Sequence, residues 1–182
     1  MNYGNIKFND IANGEGVRTS LFVSGCTHHC KHCFNPETWD FNYGKEFTAE
    51  VEEKILNSLK PDHINGLTLL GGEPMEPANQ KALLPFVQKV KQMYPNKTIW
   101  CYSGYLFDAE LLNPSRAHCP WTKELLSYID VLVDGEFKNE LKDITLRFKG
   151  SSNQRVIDVQ ESLKQGIVVL SPYNEKRKFN KI

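Results

Sequence analysis

Short apolar runs alternate with amphipathic stretches along most of the chain. "TSLFVS" (19–24), "GLTLL" (66–70), "KTIWCY" (97–102) and "IDVLV" (129–133) are rich in β-branched and aromatic residues. They lack the strict polar alternation of a half-exposed strand, so they predict strands covered on both faces. "GIVVLS" (166–171) is expected as a fifth strand. In "TAEVEEKILNSL" (48–59), Val51, Ile55 and Leu59 form a helical stripe. Thr48 is the expected N-cap there, and Glu50, Glu52 and Glu53 favour the positive end of the helix dipole. Residues 79–93 predict a second helix, in which Pro85 forces a kink or a fresh start, and a third is expected near 121–128.

Strand, helix, strand, helix with buried runs argues for an α/β protein built on a parallel sheet. A complete eight-unit barrel takes about 250 residues, and a chain of 182 supplies only part of one. The expectation is therefore one domain over residues 1–182, a partial, open (β/α) barrel. Such sheets gather their chemistry at the C-terminal ends of the strands. The cysteine-rich segment follows the first run, "GGEP" (71–74) the second, "SGY" (103–105) the third and "DGEF" (134–137) the fourth.

Composition narrows the function classes. Hydrophobic residues make up 40% and charged residues 24%, an ordinary globular balance. The 22 basic and 22 acidic residues cancel, so no global field draws the protein to nucleic acid. The N-terminal stretch lacks a basic region followed by an apolar one, and no apolar run approaches the roughly 18–20 residues that span a bilayer. A cytoplasmic protein is expected, without a nucleic-acid or membrane partner. In a reducing compartment its five cysteines read as metal ligands or plain thiols rather than disulfides.

Three of the five stand together in "SGCTHHCKHCFN" (24–35): Cys26, Cys30 and Cys33. Thiolates are soft ligands for zinc, copper(I) and iron–sulfur clusters. A structural zinc site needs four ligands, and one of His28, His29 or His32 could complete it. Zinc sites usually take two separated ligand pairs, however, and Cys101 and Cys119 stand alone. A four-iron cluster on three cysteines keeps one iron without a protein ligand, open to substrate or cofactor. The histidines read as solvated loop residues, Cys101 as a buried small hydrophobe and Cys119 as a bystander.

The segment "CTHHCKHC", followed by Phe34, resembles the signature of the radical S-adenosylmethionine (SAM) enzymes. The wider string at 13–39, with "LTLLGGEP", "VLVDGEF" and "GSSNQR" (150–155), is similar to activators of glycyl-radical enzymes, those of anaerobic ribonucleoside-triphosphate reductase in particular. The resemblance covers a core of about 3–160, with 161–182 as a C-terminal extension. It implies a barrel of the radical SAM type and a [4Fe–4S] cluster held by Cys26, Cys30 and Cys33. SAM would chelate the open iron, and reductive cleavage would give a 5′-deoxyadenosyl radical that takes hydrogen from a glycine of the reductase. The implied partners are that reductase and a flavodoxin- or ferredoxin-type electron donor.

By the same resemblance, His32, Cys33 and Phe34 lie beside the adenosyl part. Gly71 and Gly72 let backbone approach the methionine part, and Glu73 offers an acceptor to its ammonium. Ser103 and Asp134 are placed to reach the ribose or the carboxylate. For Asp134 the competing reading is a carboxylate capping the turn at "DG". The chain departs from the family at Lys149, where the family carries arginine before Gly-Ser, and at 113–121, which reads as an insertion. No role is derived for "GSSNQR", and the tail "YNEKRKFNK" (173–181) reads as a solvated basic end. Two other readings stand beside the first: another small radical SAM enzyme, such as an activator of pyruvate formate-lyase or a maker of deazaguanine, and a zinc-binding module without catalysis.

Overall fold

The computed structural model describes residues 1–175. The part of the C-terminal extension from 176 onward, with most of the expected basic end, lies outside the described residues. Seven strands form one sheet: β1 (Asn2–Asp10), β2 (Val17–Val23), β3 (Lys45–Glu46), β4 (Ile64–Gly71), β5 (Thr98–Tyr102), β6 (Val131–Asp134) and β7 (Arg155–Asp158). Their order is β3-β1-β2-β4-β5-β6-β7, with β2, β4, β5 and β6 parallel and the outer strands antiparallel to their neighbours. The four central strands fall where the apolar runs predict them.

Four α-helices connect or follow these strands: α1 (Ala49–Ser58), α2 (Pro77–Met93), α3 (Thr122–Tyr128) and α4 (Val159–Gln165). From β2 through β4 and β5 to β6 the sheet order never reverses. Crossovers between parallel strands are right-handed, so a steady order places every helix on the same face. The side chains agree. Leu21, Leu67, Leu69, Ile99, Cys101, Leu132 and Ile157 pack into one core with Ile55 of α1, Leu83 and Val87 of α2, Leu125 of α3 and Val159 of α4. The opposite face carries a smaller cluster of Trp100, Val131, Val133 and Val156 under Tyr102, Phe148 and Tyr173. Loops and the 3-10 turn Pro172–Asn174, rather than α-helices, cover that face among the described residues.

The N-terminal end of this loop-covered face is closed by a buried cation. Arg18 donates to Thr68 Oγ1 at 2.7 Å, to the Leu67 carbonyl at 2.8 Å and to the Thr98 carbonyl at 2.7 Å. Its guanidinium lies 5.5 Å from the Trp100 ring, and burial pushes its pKa down to about 10. The face is therefore plugged below and opens at the C-terminal strand ends.

Several local expectations change. Residues 166–171 lie along β7, with Asp158 N–H donating to the Val169 carbonyl and Ser171 N–H to the Val156 carbonyl. A single bridge, Ile157 to Leu170, is all the pairing they make, so the predicted fifth strand is an irregular edge segment. Gly166, left-handed at φ 70°, ends α4 where that strand was expected to begin. α2 runs unbroken through Pro85, held by Leu83, Leu84, Phe86 and Val87 buried around it. Thr48 occupies the N-cap of α1 but its side chain makes no capping hydrogen bond. The sequence does not predict β1, β3 or β7: β1 is mostly polar with only Asp10 buried, β3 has two residues and β7 four. Among the described residues no helix is long and apolar enough to cross a membrane.

Candidate active site

The loops after β2, β4, β5 and β6 surround a cleft of about 460 Å³. Cys26, Cys30, Cys33 and Phe34 line it from the first loop, Gly71, Gly72 and Glu73 from the second, Ser103 and Gly104 from the third, and Gly135 and Glu136 from the fourth. His32 and Asp134 do not line it. The volume lies within the roughly 300–1,000 Å³ usual for ligand sites.

The cysteine loop has little regular structure and is held by tertiary bonds. Gly25 N–H donates to the Thr38 carbonyl at 2.8 Å and Cys26 N–H to the Trp39 carbonyl at 3.2 Å. Glu76, at the N-cap of α2, accepts from Thr27 N–H at 2.8 Å, from Thr27 Oγ1 at 2.6 Å and from the Tyr105 hydroxyl at 3.1 Å. His29 stacks on Trp39 with ring centroids 4.6 Å apart, and His29 and His32 both adopt left-handed backbone. All five cysteines are free thiols. Burial pushes the Cys26 thiol up to about 12, and burial with the Glu136 charge raises Cys30. Holding three thiolates here needs a bound cation to neutralise them.

The donor set bears on which cation. Cys26, Cys30 and Cys33 all line the one cleft. In an iron–sulfur cluster each thiolate binds its own iron, and three cysteines on one loop match that use. The three thiols, soft donors lining one cleft, fit a cluster.

The "GGEP" loop is built by close packing against the neighbouring loop. Gly71 has φ 112°, and a Cβ there would come within 2.7 Å of the Phe22 backbone. A Cβ on Gly72 would meet the Gly25 carbonyl oxygen at the same distance. The missing side chains thus admit the cysteine loop and its strand, a structural reason besides any approach to ligand. Glu73 Oε1 accepts Met75 N–H at 2.8 Å and Oε2 accepts Gly104 N–H at 2.7 Å. A carboxylate has about four lone-pair sites, which leaves room for a further donor. Asn79 clamps the two loops together, donating to the carbonyls of Ser24 and Glu73.

At the later strand ends, Ser103 Oγ accepts Tyr105 N–H at 3.1 Å while facing the cleft. Asp134 is fully buried, and its carboxylate accepts Phe107 N–H at 2.8 Å and Arg155 Nε at 2.9 Å, with Arg155 Nη2 at 2.5 Å. Those bonds make it an internal anchor, not a cap on its own turn. The "GSSNQR" string acquires a role. Gln154 Oε1 accepts the N–H groups of Gly150 and Ser151, Gln154 Nε2 donates to the Gly135 carbonyl, and Asn153 Nδ2 donates to the Glu136 carbonyl. Together they hold the fourth loop against the cleft. Lys149 reaches the Gln154 carbonyl and Asn174 Oδ1, so its ammonium is spent on the same loop.

Sequence reasoning missed three residues. His28, taken for a solvated loop residue, has a side chain only 3% exposed and lies 2.6 Å from Glu136 and 3.2 Å from Glu73. Burial opposes its charge, but the two carboxylates overcome that and raise its pKa above the ordinary value. Glu76 had a signal in the sequence, an acid directly before the proline that opens a helix. Tyr105, fully buried, carried none.

Residues 12–157 match the family model described as 4Fe-4S single cluster domain. The anaerobic ribonucleoside-triphosphate reductase-activating protein of Haemophilus influenzae is 48% identical over 156 residues, covering 85% of this chain and 96% of that one. The protein of the same name from Vibrio cholerae is 47% identical over 156 residues, with the same coverage, and that from Pasteurella multocida 45% over 156, covering 85% and 95%.

Proposed function

This chain belongs to the family of anaerobic ribonucleoside-triphosphate reductase-activating proteins, built on a 4Fe–4S single cluster domain, and from that premise we propose that it is a radical SAM enzyme installing the glycyl radical of such a reductase. The observation that carries the reading is the meeting of Cys26, Cys30 and Cys33 with the ends of β4, β5 and β6 around one cleft. Cys26, Cys30 and Cys33 would hold a cluster that, when bound, would supply the electron for reductive cleavage of SAM and so for removal of hydrogen from the reductase glycine. The electron enters from a flavodoxin- or ferredoxin-type donor.

The chain's own residues bind, orient and shield. The three thiolates hold the cluster. The carboxylate of Glu73, fixed by two backbone N–H groups, has spare lone pairs for the ammonium of SAM. The carbonyls of the same loop stand beside it, and Ser103 at the end of β5 offers a hydroxyl. Phe34, 88% exposed at the cleft, would cover the adenosyl part when ligand enters. No proton transfer by a side chain is required, and none of the carboxylates is assigned one.

Helices confined to one face and a steady strand order support a partial (β/α) barrel of the radical SAM type, open at its side. An open side admits a glycine loop from a large protein, whereas a sealed pocket would admit only a small molecule. The deciding experiment mixes the anaerobically reconstituted protein with SAM, reductant and an anaerobic ribonucleoside-triphosphate reductase, and reads electron paramagnetic resonance. A reduced [4Fe–4S] signal that changes with SAM, followed by a glycyl radical in the reductase, is expected. A SAM-responsive cluster with no radical in the reductase would move the protein to another radical SAM reaction. Zinc with no cluster would remove the mechanism.

A further inference from the structure

His28 sits between two of the cysteines and touches every other wall of the cleft. Its Nδ1 lies 2.6 Å from Glu136 Oε1 after β6, and its Nε2 lies 3.2 Å from Glu73 Oε2 after β4. The Nε2 contact is off the line of a directed hydrogen bond, and the atom has no other partner. The ring packs 4.2 Å from Tyr105 and against Gly104, where a Cβ would come within 2.6 Å of Nε2. Arg116, in the 113–121 segment, brings Nη2 to 3.1 Å of Nδ1 and lies 5.2 Å from the Tyr105 ring. Nδ1 can donate to Glu136 or accept from Arg116 but not both, and the shorter contact favours Glu136.

We propose that His28 is a positioning residue for the cluster. It fixes the Cys26–Cys30 span relative to Glu73, with Glu136 holding the ring from the far side. The loop needs such a tie. Its backbone is irregular, and two of its residues, His29 and His32, occupy left-handed conformations that persist only when their surroundings enforce them. The bonds of Gly25 and Cys26 anchor its first turn, Glu76 anchors Thr27, and His28 joins it to the end of β6 across the cleft. A ligand-loop residue that keeps the thiolates in register with Glu73 would set both the affinity for the cluster and the geometry in which SAM meets it. The inference rests on the function proposed above.

The test reconstitutes the full chain anaerobically and measures iron retained against a chelator, the resonance spectrum of the reduced cluster with and without SAM, and the melting of the metal-free protein. Residues that orient metal ligands typically contribute roughly 10–100-fold to affinity, so His28→Ala should lose iron to the chelator by that factor. Its spectrum with SAM should broaden or shift. His28→Asn, which keeps a donor near the Nδ1 position, should recover part of the loss. Glu136→Ala removes the partner through a side chain 47% exposed, so it should weaken iron retention while the metal-free melting point holds. If His28→Ala does not fold, Glu136→Ala decides alone. Wild-type iron retention and spectra in the variants that fold would overturn the role of His28. A wild-type chain that takes up no cluster would overturn the proposed function with it.

Discussion

Cys26, Cys30 and Cys33 line the cleft, whereas Asp134 is buried and does not. Replacing Cys26, Cys30 or Cys33 by alanine is expected to abolish cluster loading and SAM cleavage, read as iron per chain and as methionine released. Cys101 is fully buried within the helix-side core, and burial raises its thiol pKa well above the ordinary value, so Cys101→Ala should keep both. Asp134 is a different case. It was singled out as a cofactor contact, yet its carboxylate is occupied by Phe107 N–H and Arg155. Asp134→Asn should therefore lower stability by about 1.5–3 kcal/mol, the usual worth of a hydrogen bond to a charged group, in urea denaturation. A variant with wild-type stability and weakened SAM binding would return Asp134 to the ligand site. The position of Asp134 at a strand end was legible in the sequence. Its bonding was not, because Arg155 lies 21 residues away and Phe107 27.

At the scale of elements, tight loops at the strand ends carry the strain and the charge. Gly71 ends β4 in a conformation only glycine adopts freely, and its α-carbon faces the Phe22 backbone. Gly71→Ala should cost at least roughly 1–3 kcal/mol, the strain of such a backbone site, before any clash is relieved. Differential scanning calorimetry of the metal-free protein would measure it. The turn from β1 to β2 is organised by Asp10. Burial alone would raise its pKa, but hydrogen bonds from Ser20, Asn13 and Ala12 hold it below the ordinary 3.8. The sign follows. Its stabilising contribution is complete above 3.8 and is lost as the pH falls through the lower folded value. Acid unfolding of Asp10→Asn should accordingly show a flatter limb below pH 3.8 than the wild type. β1 itself escaped sequence reading because a mostly polar strand with one buried residue has no apolar run to announce it, while the central strands, covered on both faces, do.

Over the whole molecule, four parallel strands and a single layer of helices bring loops far apart in sequence to one end. A cluster bound only by the folded protein stabilises it by mass action. The loaded chain should therefore melt above the metal-free one, and exposure to air, which attacks an open iron, should erase the difference in parallel with activity. The apolar pattern by itself determined the four central strands and the three helices between them, and the cysteine positions by themselves put three soft donors on one loop. Both are local properties, written within a dozen residues. Only the tertiary structure decided that His28 is buried, that Glu76 and Asn79 clamp the cysteine loop, and that "GSSNQR" holds the fourth loop to the cleft. These bonds join distant positions, His28 and Glu136 being 108 residues apart, and polar side chains carry no period to mark their partners.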